Sequence, residues 1–260
     1  MGNVDINSLF QKTLEGNYDD HEPWNAVREL RRIGTREVFE VAREWCGSED
    51  PLHRSRGLDI IAQLGKTSDH PRNSFPEESF AIVSTLLSSE KELQPLDSAI
   101  AALGHLEDVR AVPWIAQFHS HPSGEIRFSV ACALGAYPNE ALSVEALLQL
   151  MRDEDQEVRD WATFGLGVQG DQDSEEIREA LVCRLDDSCQ EAREEAIAGL
   201  AKRHDPRALP HLLAALDDEW TSVPIIDAAC EFLGLEKEEK TWTTEDYADA
   251  LRKRYPHVAS

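Results

Sequence analysis

No apolar run in this chain approaches the roughly 20 residues that a helix needs to cross a bilayer. The opening residues, MGNVDINSLFQK, lack the basic stretch and apolar core of a secretory signal. Gly2 is no myristoylation start, because Ile6 stands where that signature requires Ser or Thr. The five cysteines (Cys46, Cys132, Cys183, Cys189 and Cys230) form no C-x-x-C and match no zinc spacing. There is no glycine-rich phosphate loop and no G-x-S-x-G nucleophile turn. Positive charge is also scarce, with 26 Lys and Arg against 50 Asp and Glu, a net charge of −24. The deficit is −10 over residues 1–150 and −14 over residues 151–260. Such a surface repels a duplex, whose binding depends on Lys and Arg neutralising phosphates. These absences lead us to expect a soluble, cytoplasmic protein with reduced thiols, no membrane or nucleic-acid partner, no cofactor and no metal.

What the chain has is a recurring dipeptide. Ile33-Gly34, Leu64-Gly65, Leu103-Gly104, Leu134-Gly135, Leu166-Gly167, Leu200-Ala201 and Leu233-Gly234 lie 31, 39, 31, 32, 34 and 33 residues apart. A period of this size marks a stacked array of helical hairpins. The first helix of the unit is clearest in GEIRFSVACALG (124–135), QEVRDWATFGLG (156–167) and QEAREEAIAGLA (190–201). Its apolar columns, Ile126/Val158/Ala192, Val130/Ala162/Ala196 and Leu134/Leu166/Leu200, recur every four residues and form one buried stripe. The closing glycines are expected to be left-handed C-caps. The second helix is read in VRAVPWIAQFH (109–119), ALSVEALLQLM (141–151), EEIREALVCRL (175–185) and PRALPHLLAAL (206–216), with Asp173 and Glu176 as a capping box. Acidic turns at Asp153-Glu154-Asp155, Asp186-Asp187 and Asp217-Asp218 lead into the next first helix, where they complement its dipole.

Earlier and later copies are looser. Helices are expected over 24–34, 36–46, 51–65 and 76–88, with KTSDHPRNS (66–74) an insertion that accounts for the long step. PIIDAACEFLG (224–234) is the last first helix, followed by a charged linker, EKEEKTW (236–242), and a closing helix at 244–255. The predicted architecture is a single all-α domain over 1–260, a right-handed α-solenoid of about six to seven hairpins. Residues 1–23 form an N-terminal cap, 24–234 the repeats and 235–260 the C-terminal cap.

On DEDQEVRDWATFGLG (153–167), DDSCQEAREEAIAGLA (186–201) and DPRALPHLLAALDD (205–218), the chain resembles HEAT repeats, of the short bacterial type also seen in phycobilin lyase subunits. The resemblance implies that first helices form the convex layer and second helices line a concave, partner-binding face. Arg127, Arg159 and Arg193 share one column, either an anion-binding row or a ladder in which each arginine pairs with acids of its own or a neighbouring turn. The regular recurrence favours the structural ladder.

The sequence bears on three enzymatic classes of this fold. The HEAT-like deoxyhypusine hydroxylases need several His-Glu pairs for two irons, and only His21-Glu22 is present. HEAT-like DNA glycosylases need a basic groove, which the charge opposes. A bilin-lyase-like enzyme or chaperone handling a tetrapyrrole stays open as the alternative, although no residue marks a bilin pocket. His119-Ser120-His121 offers two metal ligands without a third and reads as a polar turn. The main expectation is a non-catalytic scaffold or adaptor for another protein, with the acidic surface favouring a basic partner. The expected protein-binding track on the second helices is Trp114, Gln117, Glu145, Gln149, Glu179, Cys183 and His211, beside a core stripe of Val144, Leu147, Leu148 and Met151. A rival surface lies on the first helices. There Phe128 aligns with Asp160 and Glu194, and Trp161 with Ser129 and Glu195, in columns expected to be exposed.

Overall fold

The computed structural model describes residues 5–218, 221–235 and 242–257, so the expected linker at 236–242 lies outside the described residues except for Trp242. Among the described residues there are fifteen α-helices and no strand, and none of the helices is long and apolar enough to cross a membrane. The chain is an α-solenoid, and it divides into two compact units, Met1–Tyr137 and Pro138–Ser260.

The first unit contains α1 (Ile6–Lys12), α2 (His21–Ile33), α3 (Arg36–Cys46), α4 (Pro51–Ala62), α5 (Pro76–Leu87), α6 (Leu93–Leu106), α7 (Val112–Ala116) and α8 (Gly124–Gly135). The helices α2, α4, α6 and α8 pack side by side as one layer, and α3, α5 and α7 each lie on the first-layer helix that follows them. The second unit contains α9 (Ala141–Leu150), α10 (Gln156–Phe164), α11 (Glu175–Arg184), α12 (Gln190–Lys202), α13 (Leu209–Leu216), α14 (Val223–Leu233) and α15 (Thr244–Arg254). Its layers are α10, α12 and α14 against α9, α11 and α13, with α15 closing on α13 and α14. The tighter pairing is therefore second helix with following first helix, and the boundary at 137/138 falls between two such pairs. The nine residues of the apolar columns are all at most 1% exposed.

Local signals explain most helix starts. Asp50, Asp155, Ser174 and Thr243 accept bonds from backbone N–H groups of the first turn, satisfying donors the helix leaves unpaired. The expected box at Asp173 and Glu176 is shifted. Ser174 is the N-cap, and Asp173 instead accepts two bonds of 2.7 Å from Arg178, whose charge outbids a backbone amide. The insertion at 66–74 is fastened by buried Asn73, which donates to Ile61 O at 2.7 Å and accepts from the Phe75 amide at 2.8 Å.

The glycine expectation needs correction. Gly34 and Gly234 are left-handed caps, with φ of 63° and 68°. Gly104 and Gly135 lie inside α6 and α8, and Gly167 lies within a π-helical turn, Gly165–Gln169, that continues α10. Glu107 takes the left-handed position after α6, with φ of 56°. The role of most repeat glycines is contact. A Cβ on Gly34 would stand 2.8 Å from Gly65 Cα, one on Gly104 2.9 Å from Ala133 Cα, and one on Gly199 2.7 Å from Gly167 Cα. Neighbouring first-layer helices touch backbone to backbone at these points.

The π turn is held by Arg203, only 8% exposed. Its guanidinium donates to the carbonyls of Leu166, Gly167, Gly199, Gly170 and Gln172 at 2.7–3.3 Å. Five donors in a rigid fork match the carbonyls that the π turn and its exit leave over, which a lysine ammonium could not do.

Gly199→Ala is expected to force α10 and α12 apart and to cost about 1–3 kcal/mol of stability, as overpacking does. Gly47→Ala, whose Cβ would meet only a carbonyl at 3.5 Å, is expected to stay within about 0.5 kcal/mol. Urea unfolding of both variants checks the contrast, and equal effects would remove the close-contact argument.

Candidate functional site

Each first-layer helix from α4 onward that carries an arginine four residues past its N-cap uses it in one way. Arg54, Arg127, Arg159 and Arg193 each turn Nη1 back onto the two carbonyls that precede the N-cap. Aligning on the Leu-Gly dipeptide overlooks Arg54, and aligning on the N-cap Asp50 finds it. Arg54 and Arg159 also reach the next hairpin. Arg54 grips Glu90 at 2.7 and 3.0 Å, and Arg159 grips Asp187 at 2.8 and 2.9 Å. Asp187 also accepts from Arg184 at 2.6 Å and from the Cys189 amide at 2.9 Å. The Arg159 bond above all holds this carboxyl far below its usual range.

Each unit has a groove between two of its second helices. In the first unit, α3 and α5 flank a cavity of about 590 Å³ lined by Arg43, Cys46, Arg54, Ile82, Leu86 and Glu90 among others. Burial pushes the Cys46 thiol up to about 12, so it stays protonated and is no nucleophile at neutral pH. In the second unit, α9 and α11 flank a cavity of about 440 Å³. Glu145, Leu148 and Gln149 line one wall, Glu175, Glu176 and Glu179 the other, and Arg152 sits at α9's end of it. Helical spacing of three and four places each set on one face. Glu179 is ion-paired with Arg207, which holds its carboxyl below the ordinary range, and Arg207 in turn chelates Asp205.

The structure thus brings together Glu145, Gln149 and Glu179 of the expected track. Cys183, one turn further along α11, is exposed and lies outside the groove lining. His211, on α13, approaches Asp186 at 4.0 Å. Trp114, on α7, and Gln117, at its C-cap, lie in the first unit, where Trp114 is half-buried and its carbonyl accepts from Gln117 at 2.9 Å. Sequence reasoning missed Glu175, Glu176 and Arg152 and assigned Leu148 to the core. Leu147 and Met151 are buried, whereas Leu148 and Val144 are only half-buried, and Leu148 opens into the groove. The first-turn acids of α11 were the available signal, since they share a face with Glu179.

The rival columns are not uniformly exposed. Ser129 is buried, Glu195 is largely covered and Phe128 is half-buried; Ser129 and Glu195 each face the neighbouring first-layer helix of their own unit. Trp161 is 40% exposed and lies edge-to-face with Phe164 at 5.8 Å. His119 and His121 serve separate turns: His119 donates to Ala116 O at 2.8 Å, and His121 accepts from the Ser123 amide at 3.1 Å.

Stacked helical hairpins with shared arginine braces define a repeat scaffold of the solenoid class. The sequence pattern of HEAT repeats matches residues 83–166 and 144–231, and the chain belongs to the HEAT-repeat family. It is 26% identical over 222 residues to protein YibA of Escherichia coli strain K12, covering 82% of this chain and 77% of that protein. The X-ray structure of the E. coli protein superposes with a TM-score of 0.71 at 24% identity, over 96% of this chain and 93% of that one. The phycocyanobilin lyase subunit alpha of Thermosynechococcus vestitus is 29% identical over 147 residues, 56% of this chain and 53% of that protein. A designed armadillo repeat protein in complex with the peptide (KR)4 shares the fold at 15% identity, with a TM-score of 0.54 over 76% of this chain and 99% of that one.

Because Asp187 is ionised only in the folded state at low pH, its contribution is complete above the ordinary carboxylate range and is lost as pH falls through that range and below. Asp187→Asn is expected to cost about 3 kcal/mol at pH 7, as losing one partner of a mostly buried pair does. The gap to the native protein should shrink as pH is lowered from 6 to 3. Urea midpoints across that window test it, and a gap that is constant with pH would show that the charge is not what braces the turn.

Proposed function

We propose that this protein is a non-catalytic interaction scaffold whose α9–α11 groove takes a basic segment of a partner protein. The observation that carries the reading is the groove itself, with Glu145, Glu175, Glu176 and Glu179 around the apolar Leu148. The four carboxylates on two facing walls outnumber the cations there, Arg152 in the lining and Arg207 paired with Glu179, and leave net negative potential, while Leu148 offers a contact for the alkyl stem of a lysine or arginine. The whole chain, at −24, adds long-range attraction for such a partner. A designed armadillo repeat protein of similar fold is in complex with the peptide (KR)4, a precedent for a basic chain held by stacked helical repeats.

A second reading, a tetrapyrrole-handling lyase or chaperone, draws support from the similarity to phycocyanobilin lyase subunit alpha. An absorbance shift of a linear tetrapyrrole on addition of the protein, insensitive to groove substitutions, would favour it over the scaffold.

The peptide (KR)4 is the direct probe. Binding is expected at low salt and should weaken steeply as salt rises. Glu145→Lys with Glu179→Lys should lower affinity at least tenfold and flatten the salt dependence. An unchanged affinity and salt slope in the double variant would overturn the assignment of the groove.

A further inference from the structure

Side chains five and six residues past the N-caps meet across neighbouring first-layer helices. Asp97 stands five past Glu92 on α6, Ser129 stands six past Ser123 on α8, and the Ser129 hydroxyl donates to Asp97 Oδ1. The second unit repeats this register with different chemistry. Asp160, five past Asp155 on α10, meets Glu195, six past Cys189 on α12. A carboxyl therefore occupies the place where the first unit supplies a hydroxyl donor. Asp160 Oδ1 and Glu195 Oε2 are both shielded from solvent, and neither meets a donor from the protein. Two ionised carboxylates so placed repel strongly, whereas a carboxylic acid beside a carboxylate makes the missing bond.

We propose that Glu195 carries a proton at neutral pH and donates it to Asp160, so that one shared proton locks the α10–α12 seam and alkali releases it. Glu195 is the natural holder. Burial first, and then the neighbouring Asp160 charge, push its carboxyl up to about 9. Asp160 is raised as well, chiefly by burial.

Among the described residues, the charges that act most strongly on the pair are all acidic. Glu157, Asp187 and Glu191 add negative potential at Asp160, and Glu191 and Glu194 add it at Glu195. Arg159 and Arg184 are engaged by Asp187, and Arg193 by the carbonyls of Asp187 and Ser188. The π turn packed on both helices carries no ionisable side chain, and α14, on α12, brings the acids Asp227 and Glu231. On the opposite layer, Glu145 of α9 and Glu179 of α11 face the groove.

The seam lies behind that groove, because α9 packs on α10 and α11 on α12. The sign of the effect is opposite to that of Asp187. The folded state keeps a proton that the unfolded chain loses, so stability falls as pH rises from the ordinary carboxylate range to about 9.

Carbon-detected NMR of the uniformly labelled, full-length protein reads the proton directly. The Glu195 carboxyl should titrate with a midpoint near 9, and Asp160→Asn should move that midpoint down by at least about one pH unit. A Glu195 midpoint in the ordinary range overturns the proposal. Glu195→Gln and Glu195→Ser each supply a donor that does not titrate. Their melting temperatures relative to the native protein should climb between pH 5 and pH 9, and a difference that is constant across that range also overturns it.

Discussion

Where two first-layer helices meet at a repeat glycine, there is no room for a single extra carbon. The would-be Cβ of Gly199 falls 2.7 Å from Gly167 Cα, and that of Gly34 falls 2.8 Å from Gly65 Cα. Close-packed interiors do not absorb such an intrusion without moving backbone. This contact sets the spacing of the layer at those points, and the spacing of the second helices follows, since each lies on the first-layer helix after it. The width of the α9–α11 groove is thus tied to the separation of α10 and α12, which is fixed at one end by two glycines and nearer the other by two carboxyls. One seam is short because nothing is there. The other end is held by chemistry that depends on protonation.

The arginines explain how so acidic a chain keeps its turns rigid. Arg54, Arg127, Arg159 and Arg193 bind carbonyls ahead of their own helices. Arg56, 1% exposed, donates to Thr13 O at 2.9 Å and Tyr18 O at 2.6 Å and meets Asp59 at 3.3 Å, tying the N-terminal segment to α4. Burying a guanidinium is tolerable only where its donors are met, and backbone carbonyls meet them without using up carboxylates. Much of the positive charge is thereby spent inside the turns. At the groove, the outward acids of α9 and α11 outnumber Arg152 and Arg207.

Helix positions were readable because the apolar columns repeat every four residues and the N-cap residues mark their starts. The 36–46 and 124–135 segments coincide with α3 and α8 to the residue. The closing glycines misled at Gly104 and Gly167, because in sequence a glycine that caps and a glycine that yields space look alike. Only the neighbour decides, and the neighbour is some 30 residues away. The groove was partly readable for the same reason. Glu145, Gln149 and Glu179 follow from helical phase, whereas Leu148 sits on the edge of the apolar stripe, where phase alone cannot say core or wall. The Asp160–Glu195 contact was invisible, since the columns were read within each helix as outward-facing, although it takes two helices in register to cover them.

Ser129 and Glu195 are repeat equivalents with different chemistry. Both stand at one position of the repeat and both face an aspartate across the seam, yet one supplies a donor at every pH and the other only while protonated. A repeat fold permits this divergence because each seam is made locally, by two neighbouring helices, and tolerates its own chemistry. Serine would have served in the second unit as it does in the first. A glutamate in its place gives the seam behind the acidic groove a donor that alkali removes, whereas the serine donor of the first unit does not titrate.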